Sequence, residues 1–256
     1  MALVNGWEPE TPATDTLVRQ FLEATAALGE TLTDAVGGRA SRRDGVAMAD
    51  FGSPVPFDNM AVLLAPCELL DRAAVARALG EFYAGPQPMV LMSAFPTWDL
   101  HDAGFALMGH PPFMVRPPGG DGPDTPDGFE IRRVDSPEEA AVFARTIEAA
   151  YPMPGAERSP VVTGYAAAGV TLLNGYLGDR CVATAGTWSS NGVSQVNWIS
   201  ALPETRRRGV GAAMTWAATV TDPNAPAVLI ASDDGVGVYE RLGYVRLLRM
   251  TLWFRA

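Results

Sequence analysis

Apolar positions along the chain recur at two periods, and the switches between them outline the elements. "DTLVRQFLEATAALGETL" (15–32) and "DRAAVARALGEFY" (71–83) space apolar residues three and four apart, which predicts helices. Around them lie short runs rich in Val, Leu and Met, "GVAMADFG", "NMAVLLAP" and "PMVLMSAF", which predict strands. A turn containing "WDLHDAGF" and a last run, "FALMGHPPFMVR", complete this part of the chain.

Arg116–Gly128, "RPPGGDGPDTPDG", then breaks both periods, because a stretch so dense in Pro, Gly and Asp sustains neither a helix nor a central strand. Beyond it, "FEIRRV" predicts a strand and "SPEEAAVFARTIEAAY" a helix. Ser136 is placed to cap that helix, Pro137 suits its first position, and Glu139 completes a capping box. "GVTLLNGYLGD", "RCVATAGTWSS" and "SQVNWISAL", separated by "GDR" and "SSNG", predict an antiparallel meander. A helix ("GAAMTWAATVT"), a strand ("AVLIAS"), a short helix ("GVGVYERLG") and one closing strand ("YVRLLRMTLWF") follow. The expected fold class is α+β, with two domains, 1–120 and 128–256, each a mixed, mostly antiparallel sheet flanked by helices. The order strand, Leu-x-x-x-Gly-Phe, strand in the first half echoes "VYERLGY" and its flanks, as two copies of one fold would.

Composition narrows the function. Nearly half of the 256 residues (48%) are hydrophobic, enough for real cores, and the net charge of -10 disfavours nucleic acid and anionic membranes as partners. All 19 basic residues are Arg, so lysine chemistry is excluded. Cys67 and Cys181 are too few for a disulfide scaffold or a zinc site, and no metal is expected. Neither a secretory signal nor a run of about twenty apolar residues is visible, so the expectation is a cytoplasmic protein with no membrane partner.

The chemistry concentrates in "PETRRRGVGAAM", Pro203–Met214. Its arginines are isolated in an acidic chain, which argues against a nucleic-acid patch. A dinucleotide loop would need a third glycine where Met214 stands. What remains is an anion cradle: Gly209 and Gly211 let backbone approach a pyrophosphate, and the free amides of a helix start point at it. The segment resembles the acetyl-CoA signature of the GNAT N-acetyltransferases, Arg/Gln-x-x-Gly-x-Gly/Ala, with Arg206, Gly209 and Gly211 in the fixed positions. "SDDGVGVYERLGY" is similar to a second motif of that family. Tyr239 and Gly243 match it, Tyr244 replaces a Phe, and Ser232 and Gly235 stand where Asn and Ala are usual. The likeness covers about residues 128–256. "SPVPFDNMAVLL" and "FALMGHPPFMVRPP" resemble the degenerate N-terminal domain of tandem members.

The resemblance implies acetyl transfer from acetyl-CoA, as cosubstrate, to a primary amine of a small molecule or peptide by direct attack. It places the cofactor on Ile199, Ser200, Ala201, Arg206, Arg207, Arg208, Gly209, Val210, Gly211, Ala212 and Ser232, between two splayed parallel strands. Tyr239 is implied as the acid that protonates the departing thiolate. No general base is legible, and Glu204 reads as solvated or capping. Tyr151 and Glu157 lie in a region that lines acceptor sites. His101 and His110 read as surface residues, and Cys181 as buried and inert. Two alternatives stay open, a non-catalytic acyl-CoA sensor and a transferase for longer acyl groups; oligomeric state is not readable. The first half's only loop rich in Gly and Arg, Gly37–Gly45, precedes a strand, so its arginines are expected to be solvated and to hold no cofactor.

Overall fold

The computed structural model describes residues 16–151, 164–165 and 167–256; Glu157 lies outside them. Helix α1, Leu17–Val36, opens on Thr16, whose side chain accepts from the Arg19 amide, and stops at Gly37 (φ 82°), whose amide donates to the Thr33 carbonyl. The Gly-Arg segment that follows is a strand and not a loop, and its arginines are exposed, as expected. Arg39–Arg43 (β1) pairs antiparallel with Val46–Asp50 (β2) through a turn at Asp44 and Gly45, both at positive φ. Its arginines are paired, Arg39 with Asp50, Arg42 with Glu23 and Glu30, and Arg43 with Glu81. Acids on neighbouring elements account for this, since a strand aims alternate side chains at them.

Met60–Leu63 (β3) and Met89–Ser93 (β4) run parallel, with α2, Arg72–Phe82, between them in sequence. Ala106–Gly109 (β5) and Pro112–Arg116 (β6) come next. In the second half, Phe129–Arg133 (β7), Thr171–Leu177 (β8), Arg180–Ser190 (β9) and Val193–Ala201 (β10) form the expected antiparallel meander. Helix α3, Pro137–Ala150, is capped by the Ser136 side chain on the Glu139 amide; the Glu139 carboxylate reaches back one residue further than a capping box requires, to the amide of Asp135. Helix α4 is Val210–Thr219, β11 Ala227–Ile230 and α5 Val236–Arg241.

The closing apolar run is not one strand. Val245–Arg249 (β12) and Thr251–Arg255 (β13) belong to different sheets, as do β5 and β6. Among the described residues the six-stranded sheet runs β1-β2-β3-β4-β13-β5 and the seven-stranded sheet β12-β6-β11-β10-β9-β8-β7. The halves have exchanged their last strands: β13 inserts between β4 and β5, and β6 between β11 and β12. The crossings meet. The Met250 amide donates to the Pro111 carbonyl (2.9 Å), and Arg249 Nη1 donates to the His110 carbonyl (2.5 Å). Pro111 and Pro112 offer no N–H to a ladder, so a sheet switch here strands no donor.

A shared core sits between the sheets, joining Phe21 and Leu22 of α1, Val90 and Met92 of β4, Phe113 of β6, Val228 of β11 and Leu252 of β13. Helix α1 also lies against the second sheet through polar contacts. The Gln195 side-chain amide donates to the Phe21 carbonyl and Thr25 Oγ1, and the Trp188 indole donates to the Ala24 carbonyl.

Trp253 on β13 is buried in the core of the first sheet, and its indole donates to Thr97 Oγ1 at 2.7 Å. Trp253→Ala should cost about 3–5 kcal/mol, as large aromatic truncations do. Because each sheet contains a strand of the other half, the wild type should unfold in one denaturant transition seen alike by fluorescence and circular dichroism. Two separated transitions would contradict the exchange.

Candidate active site

Strands β10 and β11 are the parallel pair of the second sheet, and they pair only at Ser194 with Ala227 and Gln195 with Val228. Beyond those rungs β10 runs on to Ala201 and β11 to Ile230, so a cleft opens between them. The chain leaves β10 through a short 3-10 turn, Pro203–Thr205, and enters α4 at its mouth.

That helix begins without a cap. Gly209 is the N-cap residue, at φ 82°, and no side chain bonds the first turn. The first amide to find an acceptor is that of Ala213, on the Gly209 carbonyl. Among the described residues the amides from Arg207 to Ala212 have no acceptor, a row of free donors at the positive end of a helix. Arg207 holds φ 61°, which turns the backbone so that successive amides can converge. A Cβ added to Gly211 would meet nothing within 4 Å, so the space it faces is open. Arg207 and Arg208 are exposed. Arg206 is tied down instead: its Nε donates to the Ala201 carbonyl and its Nη2 to that of Ala150, both at 3.2 Å, linking the loop to β10 and to the end of α3. Glu204 pairs with Arg180 on the surface.

Across the cleft, Ser232 accepts the Gly235 amide on its hydroxyl (3.2 Å) and caps the turn into α5. A Cβ on Gly235 would lie 3.0 Å from the Tyr239 ring, which accounts for a glycine at that position. Tyr239 packs against the second-half core and stands edge-on to Tyr244, ring centroids 6.1 Å apart. Burial above all, with Tyr151 and Tyr244 adding to it, raises the Tyr239 phenol pKa well above its usual value. The Tyr244 hydroxyl is shared with Thr219 Oγ1 at 2.6 Å. The C-terminal end of α5 is held by Arg116 of the exchanged strand, whose Nε donates to the Leu242 carbonyl at 2.7 Å while its guanidinium lies over Trp216.

β10 is irregular where the cleft begins. Its register with β9 shifts between Asn197 and Ser200, and Trp198 sits at φ 52°, strained for so bulky a residue. The Trp198 ring lies over Gly186, where a Cβ would come within 2.6 Å of it, and against Tyr165 at 4.1 Å between centroids. Thr184 holds the bulge, donating to the Trp198 carbonyl and sharing a hydrogen with the buried Ser200 hydroxyl. Tyr151 donates to the Ile199 carbonyl at 3.4 Å, which brings it beside Tyr239. The structure thus gathers Tyr151, Ile199, the Arg206–Ala212 loop and Tyr239 around one cleft. Trp198 and Tyr165 went unremarked in the sequence; the one available signal was Gly186 inside an otherwise β-rich run, which marks a close approach. Cys181 is only partly buried, its thiol pKa raised by desolvation, and His101 and His110 are exposed.

No protein-family model and no curated protein matches the sequence. Solved structures do match. A GCN5-related N-acetyltransferase from Kribbella flavida has a TM-score of 0.72 at 22% identity, over 94% of this chain and 96% of that one. One from Sphaerobacter thermophilus scores 0.55 at 11% identity, over 91% of each chain. A tandem GNAT protein from the clavulanic acid biosynthesis pathway scores 0.51 at 13% identity, over 95% of this chain and 96% of its own. The chain has the tandem GNAT fold.

Within that fold the first half repeats one turn of the second with different side chains. Gly104 and Gly243 both have positive φ, and the Phe105 amide bonds the Leu100 carbonyl just as the Tyr244 amide bonds that of Tyr239. Leu100 therefore stands where the second GNAT half has Tyr239. Asp71 stands where it has Gly209, and its carboxylate accepts the amides of Ala73 (2.9 Å) and Ala74 (3.4 Å). An anion arriving there would meet a carboxylate in place of free donors.

Proposed function

We propose that the chain is an acyltransferase that moves an acetyl group from acetyl-CoA to a primary amine of a small molecule or peptide by direct attack. Residues 128–256 form the catalytic unit, and residues 1–120 a GNAT-like unit that has lost its cofactor site. The observation that carries the reading is the row of unpartnered amides from Arg207 to Ala212 beside the opened β10–β11 pair. Those amides would hold the pyrophosphate, with Arg207 and Arg208 adding charge-assisted bonds at the mouth. Arg206 acts indirectly, by fixing the loop to Ala201 and Ala150.

The arm of acetyl-CoA would run into the cleft along Ile199–Ala201, where backbone donors polarise the thioester carbonyl. The neutral amine attacks that carbon, the C–S bond breaks, the thiolate takes the Tyr239 proton, and the surplus proton on the new amide nitrogen passes to solvent, from which the phenol is restored. The phenol keeps its proton at neutral pH and presents it to the departing sulfur as a strong hydrogen bond, and transfer is completed because the same burial raises the thiolate's basicity above its ordinary pKa of about 8.5. Tyr151, on the Ile199 carbonyl, lies where the acceptor would approach. Ser232 contributes by capping α5, which carries Tyr239.

Gly211→Glu should fold normally, since an acidic residue near a helix start is favourable in the free protein. It should nevertheless weaken acetyl-CoA on the order of a hundredfold, because like charges brought together cost several kcal/mol. Calorimetry of the wild type should give one site per chain. Unchanged affinity in the folded variant, or two comparable sites in the wild type, would contradict the assignment.

Tyr239→Phe should lower kcat by roughly tenfold to a thousandfold with little change in cofactor affinity, as loss of a general acid does. The raised phenol pKa extends the protonated form upward in pH, so wild-type kcat should show no descending limb from this group below about pH 10. A fully active Phe variant would remove Tyr239 from the mechanism. A wild type that binds acetyl-CoA but releases no thiol with any amine of a broad panel would make the chain a sensor.

A further inference from the structure

The first half contains a cavity beside Leu100, the residue that corresponds to Tyr239. It has a volume of about 140 Å³ and lies between α2 and the six-stranded sheet, walled by Val75 and Leu79 of α2, Leu91 of β4, Trp98, Leu100 and Phe105. Leu100 and Phe105 are the counterparts of Tyr239 and Tyr244, as the matching backbone bonds establish. A shorter, apolar side chain at the tyrosine position is consistent with open space there. Acetyl-CoA is not its occupant, because Asp71 already holds the amides that a pyrophosphate would need.

The lining is apolar apart from two cations. Arg255, on the exchanged strand β13, lies over the Phe105 ring at 5.3 Å and donates from Nη2 to the Tyr83 carbonyl at 2.9 Å. Arg72, at the start of α2, donates from Nη2 to the Asp99 carbonyl at 2.9 Å. Each guanidinium has five N–H donors, so both retain hydrogens for a further acceptor. Among the described residues no carboxylate lines the cavity. Desolvation also lowers the Arg255 pKa, a cost to its charged form that a bound anion would relieve.

We propose that this cavity binds a small monocarboxylic acid carrying one aromatic ring or a branched aliphatic group, with the carboxylate on Arg72 and Arg255 and the apolar part among Leu79, Leu91, Trp98 and Phe105. Size sets the apolar part, since an apolar protein cavity of about 150 Å³ accepts benzene. Charge sets the head group: a planar carboxylate matches the guanidinium fork, and two arginines repel an amine. The site is distinct from the acyl-transfer cleft and needs both halves of the chain, the first for Arg72 and the second for Arg255.

The test is calorimetric titration of the full-length chain, without acyl donor, using benzoate, phenylacetate and isovalerate, each beside its neutral amide. At least one acid should bind once per chain, tenfold or more tighter than its amide. Ala76→Trp, at an exposed residue of the lining, should plug the cavity and abolish that binding while circular dichroism and thermal midpoint stay those of the wild type. Arg255→Met and Arg72→Met should each weaken the acid tenfold or more and leave the amide unchanged; the second variant serves if the first does not fold. The proposal is overturned if no acid binds, if an acid and its amide bind equally, or if Ala76→Trp leaves binding intact. None of these outcomes depends on whether the second half transfers acyl groups.

Discussion

The backbone bond from Met250 to the carbonyl of Pro111 marks the point where two strands change sheets, and the rest of the molecule is arranged around that exchange. β6 completes the second sheet on the far side of β11 and brings Arg116 to the end of α5, so the helix that carries Tyr239 is fastened by a residue of the first half. β13 does the reciprocal service for the first sheet and supplies Arg255 to its cavity. Neither half can close its sheet alone. Each half is therefore part of the other's scaffold.

Against that common scaffold, the difference between the halves comes down to what meets a helix start. The first turn of α2 is satisfied internally by the Asp71 carboxylate; the first turn of α4 follows Gly209 and is satisfied by nothing in the described chain. Unmet donors at a positive helix end are costly unless water or an anion takes them, and the open space facing Gly211 leaves room for one. The corresponding helix start is thus closed by a carboxylate in one half and left with free amides in the other. The change from Tyr239 to Leu100 completes the contrast.

Much of this was legible in the chain because it is local. The Ser136 cap, the meander with its "GDR" and "SSNG" turns, the helix that starts after Gly209 and the short helix of Tyr239 are all set by residues within a few positions of one another. What was not legible is tertiary. "FALMGHPPFMVR" and "YVRLLRMTLWF" carry a continuous strand pattern, and periodicity says which residues face a core but not which sheet supplies it. The Pro111-Pro112 pair indicated a break but not its destination. The ion pairs of the exposed Arg39, Arg42 and Arg43 were not legible because their partners, Glu23, Glu30, Asp50 and Glu81, come from other elements. Trp198 in a left-handed conformation depends on Gly186, a cross-strand neighbour that no spacing rule connects to it.

The central claim is that the amides from Arg207 to Ala212 are the anion-binding element, and backbone amide resonances report on it directly. Amide spectra of the full chain should be recorded with CoA and, separately, with pantetheine, which lacks the pyrophosphate. The account predicts that the resonances of Arg207–Ala212 shift on saturation with CoA and stay in place with pantetheine, while those of Ala73 and Ala74 respond to neither. Saturation with CoA that leaves the Arg207–Ala212 amides unmoved, or that moves those of Ala73 and Ala74, would contradict it.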